Sequence, residues 1–262
     1  MPTLSVKLND VFGSDVPTEE MVRRAASAGA DAVGFWPWYD DLDELLGAVE
    51  DTGVDLAYLS GGDHRVEGPE FPLTDPTEFD RTVETLERAI DVAAAADSEF
   101  LNVIPGRRQD TLDPAVQRET VVRALRSVAE RAEDGGVTVL VEPVNTRVDH
   151  PGIYLTSSYD GYAIIDAVDS PHVKLLYDVY HQQITEGNLI ANIREHIERI
   201  GHVHVGDVPG RHEPGTGEIN YPNVLEALAD AGYDGYVGCE FQPIGNPESA
   251  IRDVGKMLDT VA

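Results

Sequence analysis

Residues 173–207 read VKLLYDVYHQQITEGNLIANIREHIERIGHVHVGD. Two short apolar runs, VKLLYDVY (173–180) and GHVHVGD (201–207), flank a stretch with helical spacing, NLIANIREHIER (188–199). Two parallel strands need a crossover of this kind, usually a helix. The same rhythm continues in both directions. Upstream, the strand–helix pairs are LSVKLND (4–10) with VPTEEMVRRAASAG, AVGFWP (32–37) with LDELLGAVEDTG, and DLAYLSGG (55–62) with DPTEFDRTVETLERAIDVAAAA. FLNVIPG (100–106) with DPAVQRETVVRALRSVAERAEDGG and VTVLVEPV (137–144) with SSYDGYAIIDAVD follow. Downstream, YPNVLEALADAG follows the second quoted strand, and GYVGCEFQP (235–243) precedes NPESAIRDVGKMLDTVA. Eight strand–helix units in 262 residues predict an α/β (β/α)8 TIM barrel, a single domain over 1–262.

Local signals mark the boundaries. Gly closes helices in ASAGAD, EDTGVD, EDGGVT and ADAGYD. DPTEF and DPAVQ put Asp at a helix N-cap with Pro at the first helical position. The strands are near-continuous apolar runs, as a parallel sheet covered by helices requires. A doubly wound open sheet is disfavoured, because LSVKLND is not followed by a glycine-rich phosphate loop.

Composition excludes several function classes. There are 48 acids against 19 bases, a formal net charge of −29. The acids are spread along the helices. That much like charge works against a compact state, but in molar salt the Debye length falls to about 3 Å. The balance implies the salt-loaded cytoplasm of a halophile, and argues against nucleic acid and anionic membranes as partners. No apolar run approaches the roughly 20 residues of a membrane span, and MPTLSVKLNDVFGSD lacks a signal peptide's regions. The single cysteine, Cys239, allows no internal disulfide and no cysteine-built metal site.

A barrel places its active site at the C-terminal ends of its strands. The first four strand ends offer Asn9 and Asp10, Trp36 with Trp38 and Tyr39, His64 further on, and Asn102 with Arg107. The last four each deliver a ligand-type side chain: Glu142, Asp178, His204 and Glu240. One buried acid on a strand is more often salt-bridged than metal-bound. Four such groups on adjacent strands, without a matching set of bases, point to a divalent ion. Three carboxylates and one imidazole suit Mg2+ or Mn2+, with Co2+ and Zn2+ compatible. His202 shares a strand face with His204 but lies nearer the strand start, which makes His204 the better ligand. His181, three residues past Asp178, is placed to contact substrate.

The stretches LLYDVYHQQITEGNL, IGHVHVGDVPGRHEPGTGEINYP and GYVGCEFQP resemble the hydroxypyruvate isomerases, within the wider xylose-isomerase-like and endonuclease-IV-like TIM-barrel superfamily. The resemblance implies that Glu142, Asp178, His204 and Glu240 hold the metal. It also implies that Glu142 and Glu240 act as proton donor and acceptor. One position departs from the family pattern: glutamine is usual where this chain has His204, and histidine is common there in related ketose epimerases. The implied reaction is hydroxypyruvate to tartronate semialdehyde, with a ketose 3-epimerase or related sugar isomerase as the alternative.

The loop after the seventh strand, DVPGRHEPGTGEINYP (207–222), carries unusual chemistry for a surface turn. An acidic substrate needs a local cation. Arg211 fits that role by bidentate pairing, with His212 beside it. Arg107 and Arg108 are weaker candidates. Glu213 and Glu218 would orient Arg211 or bond loop amides. Asn102 and Trp36 complete the substrate-binding candidates. Trp36, Trp38 and Tyr39 fit a pocket wall or the contact face of a homo-oligomer equally well.

Overall fold

The computed structural model describes residues 2–36, 38–60 and 71–261, with backbone alone at 38–40. His64 and the side chains of Trp38 and Tyr39 lie outside the described residues. Among the described residues, eight parallel strands close into a barrel. They are β1 (Thr3–Lys7), β2 (Ala32–Phe35), β3 (Asp55–Ser60), β4 (Phe100–Val103), β5 (Thr138–Val141), β6 (Val173–Asp178), β7 (Ile200–Val205) and β8 (Tyr236–Cys239). β8 pairs back onto β1, Leu4 opposite Val237 and Val6 opposite Cys239. The (β/α)8 TIM barrel expected from the strand–helix rhythm is the fold.

The helices are α1 (Leu8–Phe12), α2 (Thr18–Ser27), α3 (Trp38–Thr52), α4 (Phe79–Ala95) and α5 (Pro114–Gly135), then α6 (Ser158–Val168), α7 (Val179–Thr185), α8 (Leu189–His196), α9 (Tyr221–Asp230) and α10 (Pro247–Asp259). None among the described residues is long and apolar enough to cross a membrane. Asp113 caps α5 as expected, accepting from Ala115 N at 2.8 Å with Pro114 at the first helical position. Asp75 does not cap α4. It accepts from the Thr77 amide at 2.8 Å and the Thr77 hydroxyl at 2.6 Å, closing a turn before the helix starts at Phe79.

The strands are shorter than the apolar runs suggest, and the loss is mostly at their C-terminal ends. LSVKLND was expected as one strand, yet β1 stops at Lys7 and Leu8–Phe12 is helical. Apolar character persists past a strand because the covering helices bury the next residues too: Leu8, Val11 and Phe12 are all buried. This shortening releases the polar strand-end residues into the barrel mouth.

Alternation along each strand separates two cores. Val139 and Val141 of β5, and Val203 and Val205 of β7, pack outward against the helices. Ala32, Ala57, Tyr58, Phe100, Leu140 and Leu176 fill the barrel interior, with Tyr236 against them. His202 enters that interior, its ring 5.0 Å from Tyr58 and 5.9 Å from Phe100. His204 meets it edge to face, ring centroids 4.9 Å apart. Gly238 makes room for both: a Cβ there would stand 2.8 Å from His204 Cδ2 and 2.9 Å from His202 Nε2.

Candidate active site

Glu142, Asp178, His204 and Glu240 come together at the mouth. Asp178 ends β6 and lies opposite His204 of β7 in the ladder. Glu142 and Glu240 follow β5 and β8 by one residue, and each extends its ladder with one bond, Glu142 N to Val103 O (3.0 Å) and Glu240 N to Val205 O (3.1 Å). Each of the four offers one ligand atom, and these atoms all lie within 4.8 Å of one another. No member is more than 3% exposed. Three carboxylates so close and so dry repel one another, and burial alone penalises their charge.

This donor set could hold a metal ion. Both His204 ring nitrogens and Glu240 Oε2 are buried without a hydrogen-bond partner among the described residues. His204 Nδ1 lies 2.5 Å from Glu240 Oε2, a close approach without hydrogen-bond geometry. Buried polar atoms are otherwise paired in native proteins, and a divalent cation would satisfy oxygen and imidazole donors together.

Each carboxylate has a distinct setting. Asp178 is the N-cap of α7: its Oδ1 accepts from Tyr180 N (2.8 Å) and His181 N (3.2 Å). That bond pair fixes the rotamer and leaves Oδ2 to Arg211 at 3.1 Å. Glu142 Oε2 accepts from Asn102 Nδ2 at 2.7 Å. Burial, then the charge of Glu240, raise the Glu142 pKa. Glu240 Oε1 contacts two cations, Lys7 Nζ and Arg211 Nη2, the latter at 3.0 Å. Burial works to raise the Glu240 pKa, but Arg211, Lys7 and His204 outweigh it and hold it well below the ordinary value. The two glutamates are therefore unlike: one faces a neutral amide, the other a pair of cations.

Arg211, from the loop after β7, lines the cavity. Its backbone is left-handed (φ 54°), a region that normally favours glycine. Its guanidinium stacks 4.9 Å above the Tyr180 ring. His181 stands beside it: Asn145 N donates to His181 Nδ1 (3.3 Å), while Nε2 lies 3.3 Å from Arg211 Nη2 and 3.5 Å from Asp178 Oδ2. Burial, then Arg211, hold the His181 pKa well below its ordinary value. Trp36 and Asn102 line the same cavity, with Lys7, Asn9, Ser60 and His150. The cavity volume is about 470 Å3, within the usual range for small-molecule sites.

Some expected residues lie elsewhere. His212 is not in the cavity wall; its Nδ1 meets Gln242 O at 2.7 Å. Arg107 Nη1 donates to Pro151 O at 3.0 Å and Arg108 N to Gly152 O at 2.9 Å, so this segment supports the loop after β5. Glu213 accepts from Ile244 N (3.0 Å) and Glu218 from Gln183 Nε2 (3.1 Å); neither holds Arg211 among the described residues.

The loop at 206–220 is built around Asp207, which sequence reasoning passed over. This fully buried carboxylate accepts four backbone N–H groups: Val208 (2.9 Å) and Ile219 (3.1 Å) on Oδ1, Gly215 and Gly217 (both 2.9 Å) on Oδ2. A Cβ on Gly217 would stand 2.1 Å from Val208 O, so the loop closes only with glycine there. The Tyr221 hydroxyl bridges the base of the loop, donating to Gly206 O at 2.6 Å and accepting from Gly206 N at 3.0 Å. Lys7 was also missed. Its rarity, in a chain whose other lysines are Lys174 and Lys256, was the available signal.

The fold and the site define a parallel-barrel enzyme with a buried carboxylate–imidazole cluster at its mouth. The family model for the xylose isomerase-like TIM barrel matches residues 22–261. A protein named 2-oxo-tetronate isomerase from Cupriavidus necator is 40% identical over 246 residues, covering 93% of this chain and 94% of that one. Hydroxypyruvate isomerase from Escherichia coli is 31% identical over 255 residues, covering 96% and 98%. A crystal structure from Brucella melitensis, described as an AP endonuclease of family 2, superposes with a TM-score of 0.87 at 31% identity, covering 98% and 99%. The chain belongs to the xylose isomerase-like TIM-barrel family, on its hydroxypyruvate isomerase branch, and is an isomerase.

Proposed function

We propose that the protein is a divalent-metal-dependent isomerase of short 3-hydroxy-2-oxo acids, converting hydroxypyruvate to tartronate semialdehyde. The observation that carries this assignment is the cavity's pairing of a buried three-carboxylate, one-imidazole cluster with a fixed arginine. 2-Oxo-tetronate, in the name of the Cupriavidus necator relative, has the same reacting unit and one more carbon. It belongs to the same substrate class.

Glu142, Asp178, His204 and Glu240 would hold the ion, Mg2+ or Mn2+ in first place and Co2+ or Zn2+ as alternatives. When bound, such an ion supplies Lewis-acid polarisation of the substrate carbonyl. The C3–H of hydroxypyruvate is acidic only because a carbonyl adjoins it. One glutamate removes that proton, leaving an enediolate across C2 and C3. The other returns a proton to C2, and the C3 hydroxyl proton passes to the C2 oxygen as the C3 aldehyde forms. The Arg211 contact on Glu240 favours its ionised form as the base, and Glu142, whose pKa is raised by burial and then by the charge of Glu240, is suited to carry the proton. Arg211 holds the substrate carboxylate, while His181 and Asn102 bond its oxygens and Trp36 covers it. The acidic composition supports a salt-loaded cytoplasm as its setting.

Arg211→Ala separates acid from neutral substrates. KM for hydroxypyruvate should rise about 10- to 100-fold, the worth of a charge-assisted bond pair, with a much smaller change for a neutral ketose. Equal changes would remove the carboxylate role. A ketose 3-epimerase remains the second reading, favoured by His204 where the family usually has glutamine. Turnover of ketoses alone, with hydroxypyruvate inert, would establish it instead.

A further inference from the structure

Lys7 is the one cavity lysine among the described residues, and the mechanism above leaves it without a role. It ends β1 with its side chain 17% exposed. Lys174 lies at the opposite end of the barrel, and Lys256 is 72% exposed on α10. Lys7 Nζ contacts Glu240 Oε1 and lies 3.2 Å from Asp10 Oδ2. Arg211 reaches the same Glu240 oxygen from the loop after β7, at 3.0 Å. Two cations from opposite sides of the chain therefore close on one carboxylate oxygen. Both also line the cavity.

We propose that Lys7 is a specificity-determining residue that forms, with Arg211, a paired-cation seat for the carboxylate of the substrate acid. The inference rests on the acid-isomerase assignment above and names what makes the site prefer an anion. Three lines support it. The spacing of the pair already suits a carboxylate oxygen, as Glu240 demonstrates. An ammonium has three N–H donors; Glu240 and Asp10 account for two, and the third is left for an oxygen in the cavity. Charge balance gives the third line. With Glu142 carrying the proton, Asp178 and Glu240 balance a divalent ion, and Arg211 supplies one positive charge. Lys7 adds a second, and Asp10, 25% exposed, offsets it only in part because solvent and salt screen it. A neutral ketose gains nothing from this arrangement, whereas a lysine that merely braced Glu240 would act on all substrates alike.

The test compares Lys7→Met and Lys7→Arg with the wild type at saturating Mn2+. KM is measured for hydroxypyruvate and for dihydroxyacetone, the neutral analogue with the same reacting unit. Calorimetry gives the affinities of D-glycerate and glycerol. Lys7→Met should raise KM for hydroxypyruvate tenfold or more and weaken D-glycerate binding as much, with dihydroxyacetone within about twofold. Lys7→Arg should restore most of the acid preference. If Lys7→Met does not fold, Lys7→Gln takes its place in the same comparison. An acid preference that survives in a folded Lys7→Met or Lys7→Gln variant overturns the role of Lys7 and leaves the acid-isomerase assignment standing. A wild type that turns over dihydroxyacetone but neither converts hydroxypyruvate nor binds D-glycerate overturns the assignment, and the paired-cation seat with it.

Discussion

The two ends of the barrel treat acidic side chains in opposite ways. At the mouth, Glu142, Asp178 and Glu240 are buried within one small cluster, and Arg211 and Lys7 are drawn in to face them. At the foot, Asp55, Glu99 and Asp234 are exposed, with Lys174 nearby. The residue types are the same; access of water differs. An exposed carboxylate keeps its hydration and costs little. A buried one needs cations, amide donors or a metal, and the mouth supplies partners at the expense of a left-handed Arg211 backbone.

The largest effect should come from the glutamates. Glu142→Gln and Glu240→Gln preserve shape but remove the proton-transfer groups, and kcat should fall by about 10²- to 10⁴-fold. Steady-state kinetics with metal in excess checks this, and near-normal kcat in both variants would remove the mouth's special status. Next comes Asp207→Ala, which strands four backbone donors beneath the loop. A stability loss of about 3 kcal/mol is expected in denaturant titration, together with a raised KM, because the loop carries Arg211. A loss below about 0.5 kcal/mol, within the usual range for neutral surface changes, would show that the loop holds without its carboxylate.

The smallest effect belongs to the foot. Glu99 is exposed but gives up part of its hydration to the residues packed around it, and this, then the charge of Asp55, raise its pKa. The folded state therefore binds that proton more tightly than the unfolded chain. Stability from this group is present below its ordinary pKa and is lost as pH rises through the raised folded value. At neutral pH the charge is mildly unfavourable, so Glu99→Gln should raise Tm slightly in dilute KCl. In molar KCl the part due to Asp55 should be screened and the gain should shrink, while the Tm of the wild type climbs with screening of the acidic surface. A wild-type Tm indifferent to KCl would contradict the salt-loaded setting.

The barrel was legible because its signals repeat. Each strand run, helix period and closing glycine is weak alone, but GHVHVGD and VLVEPV sit in a rhythm with a fixed order. The convergence of Glu142, Asp178, His204 and Glu240 followed from strand number alone, since a closed barrel brings its strand ends together. Lys7 was hidden because the apolar run continues past it into α1, so LSVKLND reads as one strand whose middle is not an end. Asp207 was hidden for a different reason. Its partners are backbone amides 1 to 12 residues away, and amides carry no sequence signature. His212 was expected beside Arg211 at the substrate, but adjacent residues on a tight loop point to different sides.

The most direct test of the account follows hydrogen isotopes. The protein is incubated in D2O with molar KCl, Mn2+ and hydroxypyruvate, and NMR follows tartronate semialdehyde and the deuterium content of C3 in recovered substrate. The account predicts conversion with deuterium wash-in above an enzyme-free control, both lost in EDTA and in the two glutamine variants. Conversion at full rate in EDTA and in both variants would contradict it.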